Sequence, residues 1–372
     1  MIQSTFALCR LTSVRSCSPT IYAKRLTKEI IMVTIQEIAK LAGVSRGTVD
    51  RVFNGRGHVS NETSAAVWAA AQKLGYVPKH SAGTLNPAKT KLRLGYIIYR
   101  PENNPFFDEV LAALEEKVIQ FRQLGIDVVI RFNDASDPEV QNHLMRQLVA
   151  EGAQGIILNG MDFEATAQTI DKLWDQGIPV VTVLTDISNC KRLAYIGCDG
   201  YQVGRVAGEL MSMICPGQMD VGVLLGSSHI LSQMERINGF KSYVADLSPR
   251  SNIASIEYNN TDDFESYYLV KDMLKKQPHV NTLLLATVWV YGACRAVKEL
   301  PPEKRPSIFC FDGTATTRKL LKEGLITAII SRPFVFQAEK ALDVLFNYVM
   351  SKRINTEDTS YKNVQIILKE NV

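Results

Sequence analysis

Apolar and polar positions alternate regularly along most of this chain. From Leu94 onward, apolar runs rich in β-branched residues are each followed by an amphipathic stretch, in a unit that recurs about every thirty residues. Buried parallel strands read as continuous apolar runs, so the pattern predicts strands alternating with helices. The predicted strands are LGYIIY, IDVVIRF, GIILN, PVVTVL, VGVLLG, NIASIEY, TLLLA and SIFCF. The predicted helices span residues 106–121, 138–150, 164–174, 201–214, 233–245, 263–275, 289–299 and 314–322.

These eight strand and helix units predict an α/β body with two lobes. Eight units are too many for a single sheet of this kind, so we divide them near Asn189 into two parallel, doubly wound sheets. Ligands of such sheets bind outside the carboxyl ends of the strands. A binding cleft is therefore expected between the two lobes.

A different pattern precedes the body. Thr34 and Glu37 form a T-x-x-E capping box in front of a short helix that ends at Gly43, and Ser45 can cap a second helix. A third helix is expected from the cap Ser60 to Leu74, with Ala66, Val67, Ala70 and Leu74 on its buried face. Two short helices joined by a glycine turn are typical of a helix-turn-helix unit.

Charge separates this head from the body. Residues 33–93 contain nine Lys and Arg against three Asp and Glu, and residues 94–372 contain 28 against 34. A head of net charge +6 thus precedes a body of net charge −6, which favours nucleic acid as the partner of the head. The second helix carries Arg46, Thr48 and Arg51, which are donors suited to phosphates and base edges.

The head resembles that of the lactose-repressor (LacI/GalR) family of bacterial transcription factors. The resemblance rests on TIQEIAKLAGVS, TVDRVFN, HVS and GYVP in this order and spacing, and it extends more loosely to residue 372. It implies an α/β body like the ribose-type periplasmic sugar-binding proteins, with the chain crossing back between lobes near Gly313 and Pro333.

The resemblance also implies how the head meets DNA. Arg51 would read a base, Arg46 and Gly47 would occupy the variable specificity positions, and phosphate contacts would come from Thr48, Asn54, His58, Ser60 and Thr63. Ala82 and Leu85 match a hinge helix that folds on the operator, where the leucine wedges into the minor groove. Two residues depart from the family pattern: Gly47 has no side chain to read a base, and Asp50 replaces a usual serine, where it could pair with Arg46 or accept from a cytosine.

Candidate ligand contacts follow the predicted strands. Asn104, Phe106 and Phe107 follow the first strand in an NNPFF segment that resembles ribose-type proteins, where an aromatic ring stacks on a sugar and an amide binds its hydroxyls. The two phenylalanines could instead be helix core. Thr185 and Asp186 follow the fourth strand and offer a hydroxyl and a carboxylate.

The second lobe contributes further candidates. By resemblance, Arg236 points into the cleft and Asp312 binds hydroxyls, although the two could equally form a structural ion pair. Thr287 and Trp289 follow the seventh strand, and Ser331 stands near a position where relatives often have glutamine. The pocket is thus less rich in amides than those of the relatives. We expect a monosaccharide or polyol, with an anionic sugar derivative bound by Arg236 or Arg332 as the alternative.

Other function classes are less compatible with the sequence. No G-x-S-x-G, P-loop or H-E-x-x-H motif occurs, and the seven cysteines lack paired metal-ligand spacing, so we expect neither an enzyme nor a cofactor. No apolar run is long enough to span a membrane. A secreted sugar-binding transport protein would explain the body and leave the head without a role. We expect a cytoplasmic homodimeric repressor that binds a pseudo-palindromic operator.

Four regions are expected along the chain. Residues 1–32 resemble a transit peptide in composition, and we interpret them as a disordered extension or an upstream start, because Met32 directly precedes the head. Residues 33–78 form the helix-turn-helix head, 79–91 the hinge, and 92–372 the ligand-binding and dimerisation body. The tail reads as a last strand without a leucine heptad, so no tetramer is expected.

Overall fold

A computed structural model of the chain describes residues 34–54, 59–74, 92–100, 106–247, 251–352, 354 and 364–372. The predicted extension and the hinge of residues 79–91 lie outside these residues. Twelve α-helices, two short 3₁₀ turns and eleven strands are present in the described ranges. No helix among them combines the length and the apolar character that crossing a bilayer requires.

The head consists of three short helices, α1 (Ile35–Leu41), α2 (Arg46–Asn54) and α3 (Asn61–Lys73). The capping box at Thr34 is present: Glu37 N–H donates to the threonine side chain, and the Glu37 carboxylate accepts from Thr34 N–H at 2.7 Å. Gly43 takes a positive φ of 66° in the turn, where a side chain would be strained. The head core is formed by Ile38, Ala39, Val49, Val67, Ala70 and Ala71. The predicted face of α3 was wrong at Ala66, which is exposed while Ala71 is buried.

The first lobe is a five-stranded parallel sheet. Its strand order is β2-β1-β3-β4-β5, the same doubly wound arrangement that the sequence pattern predicts. Its strands are β1 (Arg93–Tyr99), β2 (Asp127–Asn133), β3 (Ile156–Asn159), β4 (Val180–Val183) and β5 (Ala194–Ile196). Its helices are α4 (Phe106–Gln123), α5 (Pro138–Ala150), α6 (Glu164–Asp175) and, from the far end of the chain, α12 (Phe334–Ser351).

The second lobe is a six-stranded sheet of order β11-β10-β9-β8-β6-β7, in which only β11 is antiparallel. Its strands are β6 (Met219–Leu225), β7 (Ser251–Tyr258), β8 (Thr282–Ala286), β9 (Ser307–Phe311), β10 (Ala328–Ser331) and β11 (Gln365–Ile367). Its helices are α7 (Gly200–Ile214), α8 (Leu231–Leu247), α9 (Asp263–Lys276), α10 (Tyr291–Lys298) and α11 (Ala315–Lys322). The predicted class, a three-helix head joined to a two-lobed α/β body, is confirmed.

The chain passes between the lobes at one of the three predicted places. The first passage follows Ile196 and not Asn189, because the three-residue strand β5 still pairs with β4. The chain does not cross at Gly313, since β10 pairs with β9 and keeps this segment in the second lobe. It crosses near Pro333 as predicted, and α12 then packs on the first lobe before β11 returns to the second.

Candidate ligand cleft and DNA-reading head

A cavity lies between the lobes at the carboxyl ends of the strands. Its volume is about 60 Å³, taken as the space open to the centre of a water molecule. One water needs roughly 10–15 Å³ on this measure, so the cavity suits a compact small molecule. From the first lobe it is lined by Tyr99, Phe106, Phe107, Asn159, Gly160, Leu184 and Thr185. From the second lobe and the passage after β10 it is lined by Ile230, Ser232, Gln233, Arg236, Ala286, Thr287, Val288, Trp289, Phe311, Asp312 and Arg332.

Asp312 lies between two arginines at the centre of this cavity. Arg332 binds both of its carboxylate oxygens, with Nε 3.0 Å from Oδ1 and Nη2 3.4 Å from Oδ2. The third nitrogen of Arg332 donates to the backbone carbonyl of Leu184 in the first lobe. Arg236 approaches Asp312 less closely, with Nη1 3.5 Å from Oδ2. Arg332 thus connects the two lobes and is also the main partner of Asp312.

The pKa values of this triad follow from burial and from the pairing. Burial raises the pKa of Asp312, but the guanidinium groups of Arg332 and Arg236 outweigh it and hold that pKa below its usual value. Burial lowers the pKa of Arg332, and Asp312 more than compensates. For Arg236, burial and the nearby Arg332 together keep the pKa below its usual value in spite of Asp312. The pairing thus favours the charged forms of Asp312 and Arg332, and a guanidinium keeps its proton in proteins.

Aromatic rings form the apolar walls of the cavity. Phe106 and Phe107 pack edge to face with their centroids 4.9 Å apart, and Phe334 lies 4.7 Å from Phe106 on the far side. The guanidinium carbon of Arg332 lies 5.8 Å from the centre of the Phe106 ring. Trp289 is buried in the opposite lobe. The sequence left open whether the two phenylalanines are helix core or line the cleft. In the structure they do both.

The two lobes are in contact around the cavity, so the cleft is closed. Thr185 Oγ1 accepts a hydrogen bond from Ser232 N–H across the cleft at 3.2 Å. At the rim, Asp162 N–H donates to the carbonyl of His229 at 2.7 Å, and the His229 ring lies 4.3 Å from the Phe163 ring. These bonds link loops of different lobes.

Local backbone geometry positions the charged residues. Leu184 and Asp312 directly follow β4 and β9 and have positive φ values of 65° and 62°, a conformation that costs free energy in residues with a side chain. The hydroxyl of Thr317 holds the Asp312 turn by donating to its carbonyl at 2.9 Å. On the second lobe, Gly204 of α7 faces the carbonyl of Arg236, where a Cβ would lie 1.9 Å from the oxygen. The glycine lets α8 approach α7 closely enough to bring Arg236 to the cavity.

The structure brings most of the predicted ligand residues together. Seven of them line the cavity: Phe106, Phe107, Thr185, Arg236, Thr287, Trp289 and Asp312. Asn104 lies outside the described residues. Tyr99, Asn159 and Gln233 also line the cavity and were not predicted. Tyr99 and Asn159 end their strands, so the same strand-end rule could have found them.

Two predicted residues point elsewhere because backbone and neighbouring groups bind them. The Asp186 carboxylate accepts from Thr182 Oγ1 at 2.6 Å and from its neighbour's N–H, and it pairs with Arg192 at 2.6 Å. Ser331 Oγ accepts from Gly313 N–H at 3.1 Å. Neither residue is among those that line the cavity, so both support its walls and do not face a ligand.

The predicted DNA contacts Arg46, Thr48 and Arg51 lie on α2. Arg46 and Arg51 are exposed and Thr48 is half-buried. Arg51 Nε donates to the carbonyl of Gly47 at 3.2 Å and Nη2 to Thr48 Oγ1 at 3.3 Å, so the side chain lies along the helix. Ser60 caps α3 by accepting from Thr63 N–H at 3.2 Å. The side chain of Asn54 and all of His58, Ala82 and Leu85 lie outside the described part of the chain.

Known protein families match both the head and the body of this chain. Residues 34–79 match the family model of bacterial regulatory proteins of the lacI family, and residues 94–353 match that of the periplasmic binding protein domain. The body therefore belongs to the family of the periplasmic binding protein domain, and the head is a lacI-family domain. This confirms the resemblance of the head, and the periplasmic-binding-protein model spans well over half of the chain. The head is thus a DNA-binding domain of this family, and the body supports control of a regulator by an effector.

Named relatives of this chain are regulators. The sucrose operon repressor of Pediococcus pentosaceus is 26% identical over 288 residues, which cover 76% of this chain and 83% of that protein. The transcriptional repressor PurR of Actinobacillus pleuropneumoniae is 32% identical over 210 residues, which cover 56% of this chain and 59% of PurR. Transcriptional regulators of this kind are not enzymes.

A solved structure shows the same fold as the body. GanP, a glucose-galactose binding protein from Geobacillus stearothermophilus, superposes with a TM-score of 0.69 at 22% identity, and the match covers 76% of this chain and 99% of GanP. The two lobes of the body thus share the fold of that protein.

Proposed function

We propose that this chain is a cytoplasmic, homodimeric transcriptional repressor, and that a small polyhydroxylated effector bound between its lobes sets its affinity for a pseudo-palindromic operator. The observation that carries the proposal is the cavity between the lobes, which aromatic rings and the largely buried Arg236–Asp312–Arg332 triad line together. Such a combination of apolar walls and a few oriented polar groups is what small-molecule sites present.

The cavity chemistry supports a sugar-like ligand. The flat faces of Phe106 and Trp289 suit the C–H faces of a sugar ring. Thr287 Oγ1 accepts hydrogen bonds from Asn259 and from Trp289 N–H, both at 3.3 Å, so its own O–H can donate to a ligand. The Gln233 carbonyl accepts from Gly226 N–H at 2.8 Å, which turns its amide NH₂ toward the ligand space. The names of the sucrose operon repressor and of GanP support the same ligand class.

A groove between α10 and α11 supports homodimerisation. Tyr291 is 57% exposed there, beside Arg295, Lys319 and Glu323. In a two-fold interface each patch meets its own copy, so the acid of one protomer can face the cations of the other. A dimer places two heads on one operator, as pseudo-palindromic binding requires.

Effector binding would act on DNA through lobe closure. A ligand can shift the equilibrium only by its differential affinity for the two states. The Arg332 to Leu184 contact and the Thr185 to Ser232 bond exist only when the lobes are together, so they couple cavity occupancy to the relation between lobes. A coupling of about 1–3 kcal/mol changes operator affinity roughly 5- to 150-fold.

The test begins by selecting DNA sequences that bind the full chain from a random library. Anisotropy titrations then measure operator affinity with and without each sugar or polyol that raises the unfolding midpoint, since a ligand that binds the folded state must raise it. The proposal predicts a two-fold symmetric selected sequence and a ligand-dependent change in affinity. An unsymmetric, weakly preferred sequence whose binding ignores every ligand that stabilises the protein would contradict it.

A further inference from the structure

The charges that line the cavity do not balance. Among the lining residues in the described ranges, the charged side chains are Arg236, Arg332 and Asp312, which sum to one net positive charge. Arg236 and Asp312 are 4% and 3% exposed and the Arg332 side chain is 9% exposed, so contact between the lobes keeps all three largely away from bulk water. A buried charge without a partner is costly, because the protein interior replaces little of its hydration.

The excess charge belongs to Arg236. Arg332 engages Asp312 through two nitrogens and the Leu184 carbonyl through the third, so each of its three nitrogens already has a partner in the protein. Arg236 is only 4% exposed, and the single polar contact of its guanidinium within the described chain is the 3.5 Å approach to Asp312. A guanidinium has five N–H donors. Most of those of Arg236 are therefore available to the cavity.

The surroundings of Arg236 compensate its charge only in part. The Phe311 ring lies 4.8 Å from the guanidinium carbon, an arrangement that stabilises a cation modestly. Glu235, the neighbouring residue, places its carboxylate beside Gly200 at the start of α7 and is not among the cavity residues. The pKa of Arg236, lowered by burial and by Arg332, agrees with a cation that lacks a full partner.

We infer that the effector carries one carboxylate group and that Arg236 binds this group in the closed cleft. The inference rests on the proposed function and narrows its ligand class to sugar acids. A carboxylate brings one negative charge and two coplanar oxygens that match the guanidinium fork. A phosphate monoester carries about −1.5 to −2 at pH 7 and would reverse the imbalance. A neutral sugar would leave Arg236 buried and uncompensated.

One test of this inference needs no ligand. Replacing Arg236 by Gln removes the unbalanced charge and leaves the Asp312–Arg332 pair, so the unfolding midpoint of the ligand-free full chain should stay the same or rise by about 2 °C or more. If Arg236 were instead a structural partner that Asp312 needs, the midpoint would fall, and the inference would be overturned. The control is Arg205→Gln, which removes a positive charge that pairs with Asp246 outside the cavity.

The second test uses matched ligands on the full chain. The probes are glucose, galactose and ribose, each with its sugar acid and its sugar phosphate, titrated by calorimetry. At least one acid should bind ten times or more as tightly as its neutral and phosphorylated partners, and Arg236→Gln should remove that preference while Arg205→Gln keeps it. Neutral sugars that bind as tightly as acids, or no binding by any acid, would overturn the inference.

The two proposals can fail separately. If neutral sugars bind best and change operator affinity, the repressor function stands and the carboxylate assignment falls. If an acid binds through Arg236 but leaves operator affinity unchanged, the carboxylate assignment stands and the effector function falls.

Discussion

A Cβ added to Gly204 would lie 1.9 Å from the backbone carbonyl oxygen of Arg236. The absence of a side chain on α7 therefore sets how closely α8 approaches it and where the Arg236 guanidinium reaches the cavity. Gly204→Ala should destabilise the body by about 1–3 kcal/mol, the usual cost of overpacking, and also weaken effector binding. Denaturant unfolding and calorimetric titration measure the two effects.

The matched control is Gly208→Ala, one turn along the same helix. A Cβ there meets the Tyr243 side chain, which can move, and not a backbone carbonyl. Gly208→Ala should cost stability with little loss of effector affinity. If both variants weakened the effector equally, the positioning role of Gly204 would be lost.

Breaking the ion pairs of Asp312 should strongly destabilise the folded protein. Asp312→Asn retains a residue type that tolerates positive φ, so it tests charge without adding backbone strain. It leaves two buried arginines without their carboxylate and should cost about 3–5 kcal/mol of unfolding free energy. The double variant Asp312→Asn with Arg332→Gln removes the pair as a unit and should recover much of that loss. A mild single variant, within about 1 kcal/mol of wild type, would show that the triad is not desolvated.

The raised pKa values of Glu235 and Asp186 predict that low pH favours closure of the two lobes. Burial raises the pKa of Glu235, and Asp186 and Asp199 raise it further, against partial compensation by Arg236 and Arg192. Burial likewise raises the pKa of Asp186, with Thr182 and Arg192 opposing. Asp186 belongs to the first lobe and Glu235 to the second, so opening separates them.

A carboxyl whose pKa is raised on closure binds its proton more tightly in the closed state. The contribution is complete below the ordinary carboxyl pKa and is lost as the pH rises through the raised value. Effector affinity should therefore increase as the pH falls from neutral toward the ordinary carboxyl pKa, and Glu235→Gln should flatten this dependence. An identical pH profile in the variant would assign the effect to other groups.

Gly47 is not required by the packing of the head. A Cβ there would meet only Ser45 Oγ, at 3.8 Å, in the described part of the chain. Gly47→Ala should stabilise the head by up to about 1 kcal/mol, because glycine loses more entropy in a helix. If the bare backbone is needed for close approach to DNA, the same change lowers operator affinity. A gain in stability without any change in selected sequence would leave Gly47 without a role in recognition.

Arg51 should read a base. Arg51→Ala should cost about 1–3 kcal/mol on the selected operator and relax preference at one position, because a bidentate guanine contact is lost. Binding selections with the variant measure the relaxed position. Equal losses on operator and on random DNA would instead indicate a phosphate contact.

Much of the fold follows from local patterns. The capping box at Thr34 and the apolar runs that became β1 to β4 and β6 to β9 appear where they were expected, because local hydrogen bonds and full burial leave direct marks in the sequence. The strand β5 and the helix α12 were missed. β5 has only three residues, and α12 is apolar on several faces, so neither has the periodicity of a half-exposed element.

The sequence predicted which residues lie at the cleft better than it predicted which side chains bind one another. Strand ends located Thr185 and Asp312, since parallel sheets gather these ends in one place, and the family resemblance located Arg236. Side-chain direction could not be predicted, as Asp186 shows: its carboxylate binds Thr182 and Arg192 inside its own lobe. The pairing of Asp312 with Arg332 depends on a passage between lobes that local sequence does not encode.

Binding of an effector in the cleft should control the affinity of the head for DNA. The most direct measurement is the operator affinity of the full chain, by anisotropy, with and without the ligand that stabilises it most, in wild type and in Trp289→Ala. We predict at least about a fivefold change in wild type and little change in the variant, with similar ligand-free affinity in both. The same operator affinity with and without bound ligand in the wild-type protein would contradict the account.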